Sequence, residues 1–238
     1  MEQAYLYGIV DSSVENIISL GVTNHKPYCI PFSDISVVAS TYNGEAIEPN
    51  IDCLSKHHEV INEIMAKHCI LPASFKTIFN DKTDIYTFVS KNYNLIKSNL
   101  EKLLNKCEIG IKIIWDINKV KQEIINENEQ NSPGFNPNTP AKIYLKERLS
   151  VHSFRIKLEK KAETIKEYII EELSNMVFNH KIKLLETEKM AVNAAFLIDI
   201  TQKEQFISRV EKFKQANKDL SFLISGPWAP YNFVELNG

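Results

Sequence analysis

Residues 109–115 read Ile-Gly-Ile-Lys-Ile-Ile-Trp, and this stretch decides the fold class. Ile109, Ile111, Ile113 and Trp115 occupy every second position, so in an extended chain they share one face. The alternation is the strongest in the sequence, and it predicts a β-strand with one buried face.

Three stretches before this strand also have strand patterns. Residues 4–10 and 35–40 are rich in β-branched and aromatic residues, and residues 75–79 alternate apolar with polar side chains. Asn43-Gly44 follows the second stretch and is typical of a tight turn. These patterns predict three strands in the first half of the chain.

Helical periodicity separates these strands. Apolar residues spaced by three and four predict one helix from Ile51 to about Cys69 and another from about Thr83 to Cys107. The resulting order, β-β-α-β-α-β, predicts an α+β sandwich of ferredoxin-like size with its helices on one face of the sheet. We expect this first domain to comprise residues 1–120.

A different composition follows at residues 121–140, where we expect a connecting helix and then a Pro/Asn-rich loop. Residues 131–140 read Asn-Ser-Pro-Gly-Phe-Asn-Pro-Asn-Thr-Pro, a composition that holds neither a helix nor a central strand. Residues 141–238 form the expected second domain. Its pattern is a long helix from Lys142 to about Val177, a β-β-α-β unit and an aromatic tail. The predicted fold class is α+β, with two small ferredoxin-like domains joined by the loop and the long helix.

Composition excludes several functions. The chain has 28 basic and 30 acidic residues, a formal charge of −2, so it lacks the positive field that gathers nucleic acid or anionic lipid. Its 7 glycines do not form a phosphate-binding loop, and its 4 cysteines form no Cys-x-x-Cys pair. No uncharged apolar run approaches the ~20 residues needed to cross a bilayer. We expect a cytoplasmic protein that binds no nucleic acid, no membrane and no cofactor.

The search for catalytic and metal-binding motifs is negative. His57-His58-Glu59 resembles part of a zinc-hydrolase helix, but that motif needs a histidine at position 62, which is Asn62. Cys53, His57, His68 and Cys69 share one predicted helix without the spacing of a zinc site. No Gly-x-Ser-x-Gly elbow occurs. We expect no catalytic, cofactor-binding or metal-binding residue.

The C-terminal tail is more informative about function than these motifs. Residues 222–234 read Phe-Leu-Ile-Ser-Gly-Pro-Trp-Ala-Pro-Tyr-Asn-Phe-Val, in which prolines fix the backbone between the aromatic residues. Two interpretations are open: Trp228, Tyr231 and Phe233 cap the core of the second domain, or they form a surface that binds a partner.

Four blocks of the sequence together with its opening residues resemble the gas vesicle protein F/L family, and they span essentially the whole chain. The blocks are residues 70–79, 108–116, 193–199 and 226–233. The residues in these blocks that match the family signature, expected to be structural, are Leu71, Pro72, Phe75, Thr77, Gly226, Pro227, Trp228, Pro230, Tyr231 and Phe233. Lys76 and Ala229 depart from it, since the family commonly has Gly and Pro there.

The resemblance implies a non-enzymatic minor component of gas vesicles. Such a protein is expected to bind the small, very apolar shell protein through its N-terminal domain, to limit aggregation of the shell protein and to assist vesicle nucleation. Other gas vesicle accessory proteins are further expected partners. Two alternatives remain: a ferredoxin-like ligand-binding module or enzyme with an interdomain pocket, in which His57, His58 or His68 would face a carboxylate, and a regulatory RNA binder.

Overall fold

The computed structural model describes residues 3–131 and 140–236. Its helices and strands, in chain order, are β1 (Gln3–Val10), β2 (Tyr28–Phe32), β3 (Ile35–Tyr42), α1 (Ile51–Met65), β4 (Ile70–Pro72), β5 (Ile78–Phe79), α2 (Lys82–Leu103), β6 (Lys106–Trp115), α3 (Ile117–Asn131), α4 (Pro140–Leu173), β7 (Val177–Thr187), β8 (Met190–Asp199), α5 (Lys203–Ala216) and β9 (Leu220–Trp228). The fold class is α+β with two antiparallel sheets, as predicted.

The chain divides into two compact units. Unit 1 comprises Met1–Glu108 and Pro227–Gly238, and unit 2 comprises Ile109–Gly226. The predicted division at residues 120 and 140 differs from this one, because the tail belongs to unit 1 and because β6 leads into unit 2. Residues 132–139, the centre of the predicted Pro/Asn-rich loop, lie outside the described residues.

The sheet of unit 1 has the strand order β2-β3-β1-β4, and β5 also pairs with β1. The central strand β1 is buried from Ala4 to Val10, since side chains on both of its faces are covered. At Gly8 a Cβ atom would lie 2.5 Å from the carbonyl oxygen of Leu71. A glycine is needed here, because any side chain would push β4 away from β1.

The connection from β1 to β2, residues 11–27, contains no helix or strand. The carboxylate of Glu63, on α1, accepts hydrogen bonds from the backbone N–H groups of Ile18 at 2.7 Å and Ser19 at 2.9 Å. Ile17 is buried in the same segment. Unit 1 is therefore a modified ferredoxin-like arrangement, in which an ordered loop replaces the first crossover helix.

The second sheet has the strand order β7-β8-β6-β9. Along the chain, β6 comes first, helices follow, and then β7, β8, α5 and β9 complete a βαββαβ order. This order, with the first strand between the third and the fourth, is that of a ferredoxin-like domain. The assignment of β6 to the first domain was wrong, because alternation identifies a strand and its buried face but not its pairing partners.

Most predicted elements are confirmed, with one strand misplaced. Residues 75–79 were predicted to form a strand, but only Ile78–Phe79 pairs with β1. Instead, Ile70–Pro72, which directly follows the predicted end of the helix at Cys69, forms β4. Residues 74–77 form a turn, in which the N–H of Thr77 donates to the carbonyl of Ser74 at 3.1 Å. The short strand β2 was not predicted.

Candidate functional site

An apolar groove of about 640 Å³ lies within unit 1, between α1 and the tail. We call it the α1–tail groove. Its lining consists of Ile51, Leu54, Ser55, His57, His58, Ser74, Phe75, Glu108, Trp228, Tyr231 and Asn232.

The α1 wall of the groove carries exposed aliphatic side chains. Asn50 caps the helix, its side-chain oxygen accepting a hydrogen bond from the N–H of Cys53 at 2.9 Å. One side of α1, including Val60 and Ile61, is buried in the core of unit 1. Ile51 and Leu54, one turn apart, are 84% and 44% exposed at the groove. The helix therefore has a second apolar face, which the described chain leaves uncovered.

The tail forms the opposite wall and is anchored in unit 1. Ala229 is completely buried in the core cluster that contains Tyr5 and Tyr7. Asn99, buried on α2, holds the tail through two hydrogen bonds: its side-chain oxygen accepts from the N–H of Glu235 at 2.9 Å, and its side-chain nitrogen donates to that residue's carbonyl at 3.2 Å. The interpretation that Trp228, Tyr231 and Phe233 cap the core of the second domain was wrong, because residues 227–238 belong to unit 1.

Glu108 and Asn232 make a second link between the tail and the rest of unit 1. The backbone N–H and the side-chain amide of Asn232 donate to the two carboxylate oxygens of Glu108, at 2.9 and 2.6 Å. Glu108 is buried, although acidic residues are seldom buried without partners. Its charge adds to the effect of burial in raising the pKa of Tyr231.

His57, at the floor of the groove, belongs to a buried hydrogen-bond chain. The N–H of Lys76 donates to the hydroxyl oxygen of Tyr5 at 3.2 Å, and the hydroxyl lies 2.9 Å from Nδ1 of His57. Nε2 of His57 lies 3.2 Å from the carbonyl oxygen of Ala73. Since a carbonyl only accepts, Nε2 carries the proton, and in the neutral ring Nδ1 then accepts from the hydroxyl of Tyr5. Burial lowers the pKa of His57 to about 4, so the ring is neutral near pH 7.

His58, the next residue, contributes a ring to the groove. Its centroid lies 4.4 Å from that of Trp228 and 6.3 Å from that of Tyr231. Burial lowers the pKa of His58 as well. The ligand-binding alternative predicted a histidine facing a carboxylate, and His58 and Glu108 do line the same groove. However, the carboxylate oxygens of Glu108 accept hydrogen bonds from Asn232. His68 lies elsewhere, with Nδ1 at 3.0 Å from the hydroxyl of Ser12.

The structure brings together three of the predicted signature residues. Phe75, Trp228 and Tyr231 line the groove. The remaining ones lie in the strand β4, in the turn before β5, or in the tail: Leu71, Pro72, Thr77, Gly226, Pro227, Pro230 and Phe233. Of these, Leu71, Pro72, Pro230 and Phe233 are buried.

Sequence reasoning missed the polar part of the site. Glu108 stands between the apolar residues Cys107 and Ile109, and an acid in such a position was the available signal. Ile51 and Leu54 are among the apolar residues whose spacing predicted α1, but spacing does not show whether such residues are buried or exposed.

A larger cleft of about 770 Å³ lies within unit 2, along α4 and the end of β7. Its rim includes Arg155 and Glu159, which form an ion pair at 3.0 Å on the helix surface. Exposed pairs of this kind contribute little energy, so this cleft lacks the buried, converging groups of the α1–tail groove.

Neither a metal site nor a membrane span was found in the described part of the chain. Within residues 3–131 and 140–236, no cluster of His, Cys, Asp or Glu is arranged to hold a metal ion. None of the described helices combines the length and apolar character needed to cross a bilayer.

Comparison with known proteins gives a consistent result. The family model described as gas vesicle synthesis protein GvpL/GvpF matches residues 3–235. Gas vesicle protein F of Dolichospermum flosaquae is 25% identical over 250 residues, which cover 98% of each chain. Gas vesicle protein F1 of Halobacterium salinarum is 21% identical over 241 residues, covering 99% of this chain and 94% of the relative.

A solved structure has the same fold. The crystal structure of the gas vesicle protein GvpF from Anabaena superposes with a TM-score of 0.84 at 20% sequence identity, covering 100% of this chain and 98% of that one. At this identity the likeness establishes the architecture alone.

Proposed function

The chain belongs to the gas vesicle synthesis protein GvpL/GvpF family, whose model matches residues 3–235, and we propose that it binds the small hydrophobic shell protein of gas vesicles through unit 1. Membership itself supports a role in gas vesicle assembly, in a family of accessory proteins that is not a known enzyme family. The proposal adds that the chain limits aggregation of the shell protein and assists vesicle nucleation, without catalysis, at the gas vesicle in the cytoplasm.

The observation that carries the proposal is the uncovered apolar wall of the α1–tail groove. Ile51 and Leu54 are exposed next to the rings of Trp228 and Tyr231. Each large aliphatic side chain that a partner covers contributes about 1.5–3 kcal/mol. A groove of this kind suits an apolar segment laid along it.

Covering an apolar segment also explains how aggregation would be limited. A small, very apolar protein associates with itself through the surface that it must later bury in the vesicle wall. Contact with the groove covers part of that surface, while the charged side chains on the exterior of this chain keep the complex dispersed. Release then needs only that contacts within the growing wall be more favourable.

The tail suits this role because it is stiff. Pro227 and Pro230 fix the backbone on either side of Trp228, and Ala229 between them is anchored in the core. A rigid aromatic wall loses little conformational entropy when it binds a partner.

A second function, binding of a small ligand, is favoured by one observation, the presence of His58 and Glu108 in the same lining. The exposed Ile51 and Leu54 favour a polypeptide instead, because a small polar ligand would leave them uncovered.

Co-expression of this chain with the shell protein tests the proposal. We expect the unmodified chain to hold the shell protein in the supernatant and to co-purify with it. Ile51→Asn combined with Leu54→Asn is expected to weaken this association at least tenfold, because both side chains then lose their apolar contacts.

Ile18→Asn is the matched control for this experiment. Ile18 is 81% exposed in unit 1 and is not part of the groove lining, so its replacement should leave co-purification unchanged. If the unmodified chain does not associate with the shell protein, the proposal is wrong. Equal effects of the control and the groove variants would place the contact elsewhere.

A further inference from the structure

The two faces of the second sheet differ in what lies against them. On one face Phe196 of β8 packs on Phe206 of α5, with ring centroids 5.8 Å apart, and Phe222 of β9 packs on Phe213 of the same helix at 5.6 Å. Side chains alternate between the two faces along a strand, so the residues next to Phe196 and Phe222 point to the other side of the sheet. We call that side the outer face of the second sheet.

On β7 and β8 the strand pairing identifies residues of the outer face. Residues directly opposite each other in an antiparallel pair share a face. Lys181 pairs with Ala195, and Lys183 pairs with Asn193. Because Ala195 and Asn193 lie one and three positions before Phe196, both pairs belong to the outer face. Both lysines are exposed.

On β6 and β9 the same alternation places further residues on the outer face. Leu223 and Ser225 follow Phe222 by one and three positions, and both are exposed, Leu223 to 57%. A Cβ atom at Gly110 would lie 2.6 Å from Oγ of Ser225, so Gly110 belongs to this face as well. Lys112, two residues after Gly110, therefore also lies there, and it is exposed.

The middle of the outer face is basic. Its lysines are joined by one acid, Glu186, whose carboxylate accepts a hydrogen bond from the side-chain amide of Asn193 and lies 3.5 Å from Nζ of Lys183. The hydrogen bond from Asn193 and the charges of Lys183 and Lys112 lower the pKa of Glu186. Lys112 and Lys181 form no ion pair with another described residue. Three lysines beside one carboxylate give this part of the face a net positive charge.

We propose that the outer face of the second sheet binds an acidic polypeptide segment of another protein, with its carboxylates at Lys112, Lys181 and Lys183 and an apolar side chain over Leu223. Charge complementarity steers such a segment to the face, and coverage of Leu223 adds affinity once it is there. This interaction goes beyond the proposed function, since it uses unit 2 and does not involve the α1–tail groove.

The side chains of the outer face favour a polypeptide over a nucleic acid. Single-stranded nucleic acids stack their bases on aromatic rings, and the outer-face residues identified above include no aromatic residue. The exposed ring of Phe178 instead borders a cavity with Ile170 of α4 and with Phe196, on the helix-covered side. A phosphate backbone would also leave Leu223 uncovered, whereas an apolar side chain of a polypeptide would cover it.

Two synthetic peptides test the inference on the full chain. Each is an amphipathic peptide of about 15 residues, built from Leu, Ala and four Glu, and in the second peptide the four Glu are replaced by Gln. In about 50 mM NaCl we expect the Glu peptide to bind at least tenfold more tightly, as measured by fluorescence anisotropy. This preference should fall severalfold in about 300 mM NaCl, because salt screens exposed charges.

The double variant Lys112→Gln, Lys181→Gln should lower the preference to about twofold or less, while the Gln peptide keeps its affinity. The matched control is Lys160→Gln with Lys212→Gln, which removes the same charge from exposed lysines on α4 and α5. The control should keep the tenfold preference. Equal binding of the two peptides by the unmodified chain overturns the inference, as does a Lys112 and Lys181 variant that retains the preference. An equal loss in the control also overturns it, since the preference would then reflect net charge alone.

Leu223→Ser tests the apolar part of the inference. We expect it to weaken both peptides about fivefold and to leave the ratio of their affinities unchanged, because the lost contact is the same for both. Unchanged affinities would show that Leu223 is not covered and would overturn the apolar contact. An oligo-dT of about 15 nucleotides that binds the unmodified chain more tightly than the Glu peptide, and loses affinity in the Lys112 and Lys181 variant, would overturn the assignment of a polypeptide.

Discussion

In unit 1 the first two strands are joined by residues 11–27, which form neither helix nor strand, whereas in unit 2 the corresponding connection contains α3 and α4. The strand orders of the two sheets are otherwise equivalent. The helices of unit 2 carry ion pairs, such as Lys161 with Glu123 at 3.2 Å and Arg209 with Glu172 at 2.6 Å. The α1 helix of unit 1 also has an ion pair, Lys56 with Asp52 at 2.9 Å, but it leaves Ile51 and Leu54 exposed beside an aromatic tail.

This comparison teaches that strand order does not decide what a unit binds. The same arrangement supports a charged helical surface in one unit and an apolar groove in the other, because function depends on side chains added to the fold. The tail is the clearest case, since its first residues lie in β9 of the second sheet, whereas residues 227–238 belong to unit 1. The predictions below test whether the tail and the buried histidine belong to unit 1 alone.

Ala229→Asp has the largest expected effect on this comparison. The side chain is completely buried in the core of unit 1, and a carboxylate placed there should lower the free energy of unfolding of that unit by about 3–5 kcal/mol. Hydrogen exchange followed by mass spectrometry measures each unit separately. We expect the amides of β1 to lose protection and those of β8 to keep it.

Ala46→Asp is the control for this substitution, since Ala46 is exposed in a loop of unit 1. It should change protection in neither unit. If the amides of β8 lose as much protection as those of β1 in Ala229→Asp, the assignment of the tail to unit 1 is wrong.

Acidification is expected to destabilise unit 1 through His57. Its pKa is about 4 in the folded chain against an ordinary value of 6.5, so between these values the unfolded chain binds a proton that the folded chain does not. The stabilisation is complete above pH 6.5 and is lost as the pH falls toward 4, by about 3 kcal/mol in total. The measurement is urea unfolding at pH 7 and pH 5, followed by Trp228 fluorescence after Trp115→Phe.

His57→Gln in the same background is the control for the pH experiment. It removes one titrating group, so its unfolding free energy should depend less on pH over this interval. His58, whose pKa burial also lowers, remains and contributes in the same direction. A pH dependence equal to that of the unmodified chain would exclude His57 as its source.

Local pattern predicted most strands and helices of both units, but not how the strands are shared between sheets. The alternation over Ile109 to Trp115 specified β6 and its buried face, since these depend on spacing along the chain. Its partners β8 and β9 lie far away in the sequence, and no local signal identifies them. Residues 75–79 alternate like a strand, yet the turn at 74–77 prevents all but the last two residues from pairing.

The site was predicted less completely than the fold. Prolines and aromatic residues identified the tail as a stiff apolar segment, which the structure confirms as one wall of the groove. Where the tail packs depends on Glu108 and Asn99. Glu108 accepts a hydrogen bond from Asn232, which lies 124 positions later in the chain, and Asn99 accepts one from Glu235, which lies 136 positions later. Such contacts depend on the packed fold and have no counterpart in spacing or composition.

Lys76→Gly has the smallest expected effect, and it raises stability. Lys76 has a φ of 68°, in the left-handed region where a Cβ atom is unfavourable. Glycine relieves this strain, which stabilises the folded chain, but its greater conformational freedom in the unfolded chain offsets part of the gain. The net increase in the stability of unit 1 should be about 1 kcal/mol. Lys76→Ala removes the same charge but keeps the Cβ atom, so the urea midpoint followed through Trp228 should rise only for the glycine variant. A comparable rise for both variants would assign the effect to the lysine side chain, and no rise for either would show that the turn around the Tyr5–His57 hydrogen bonds carries no strain.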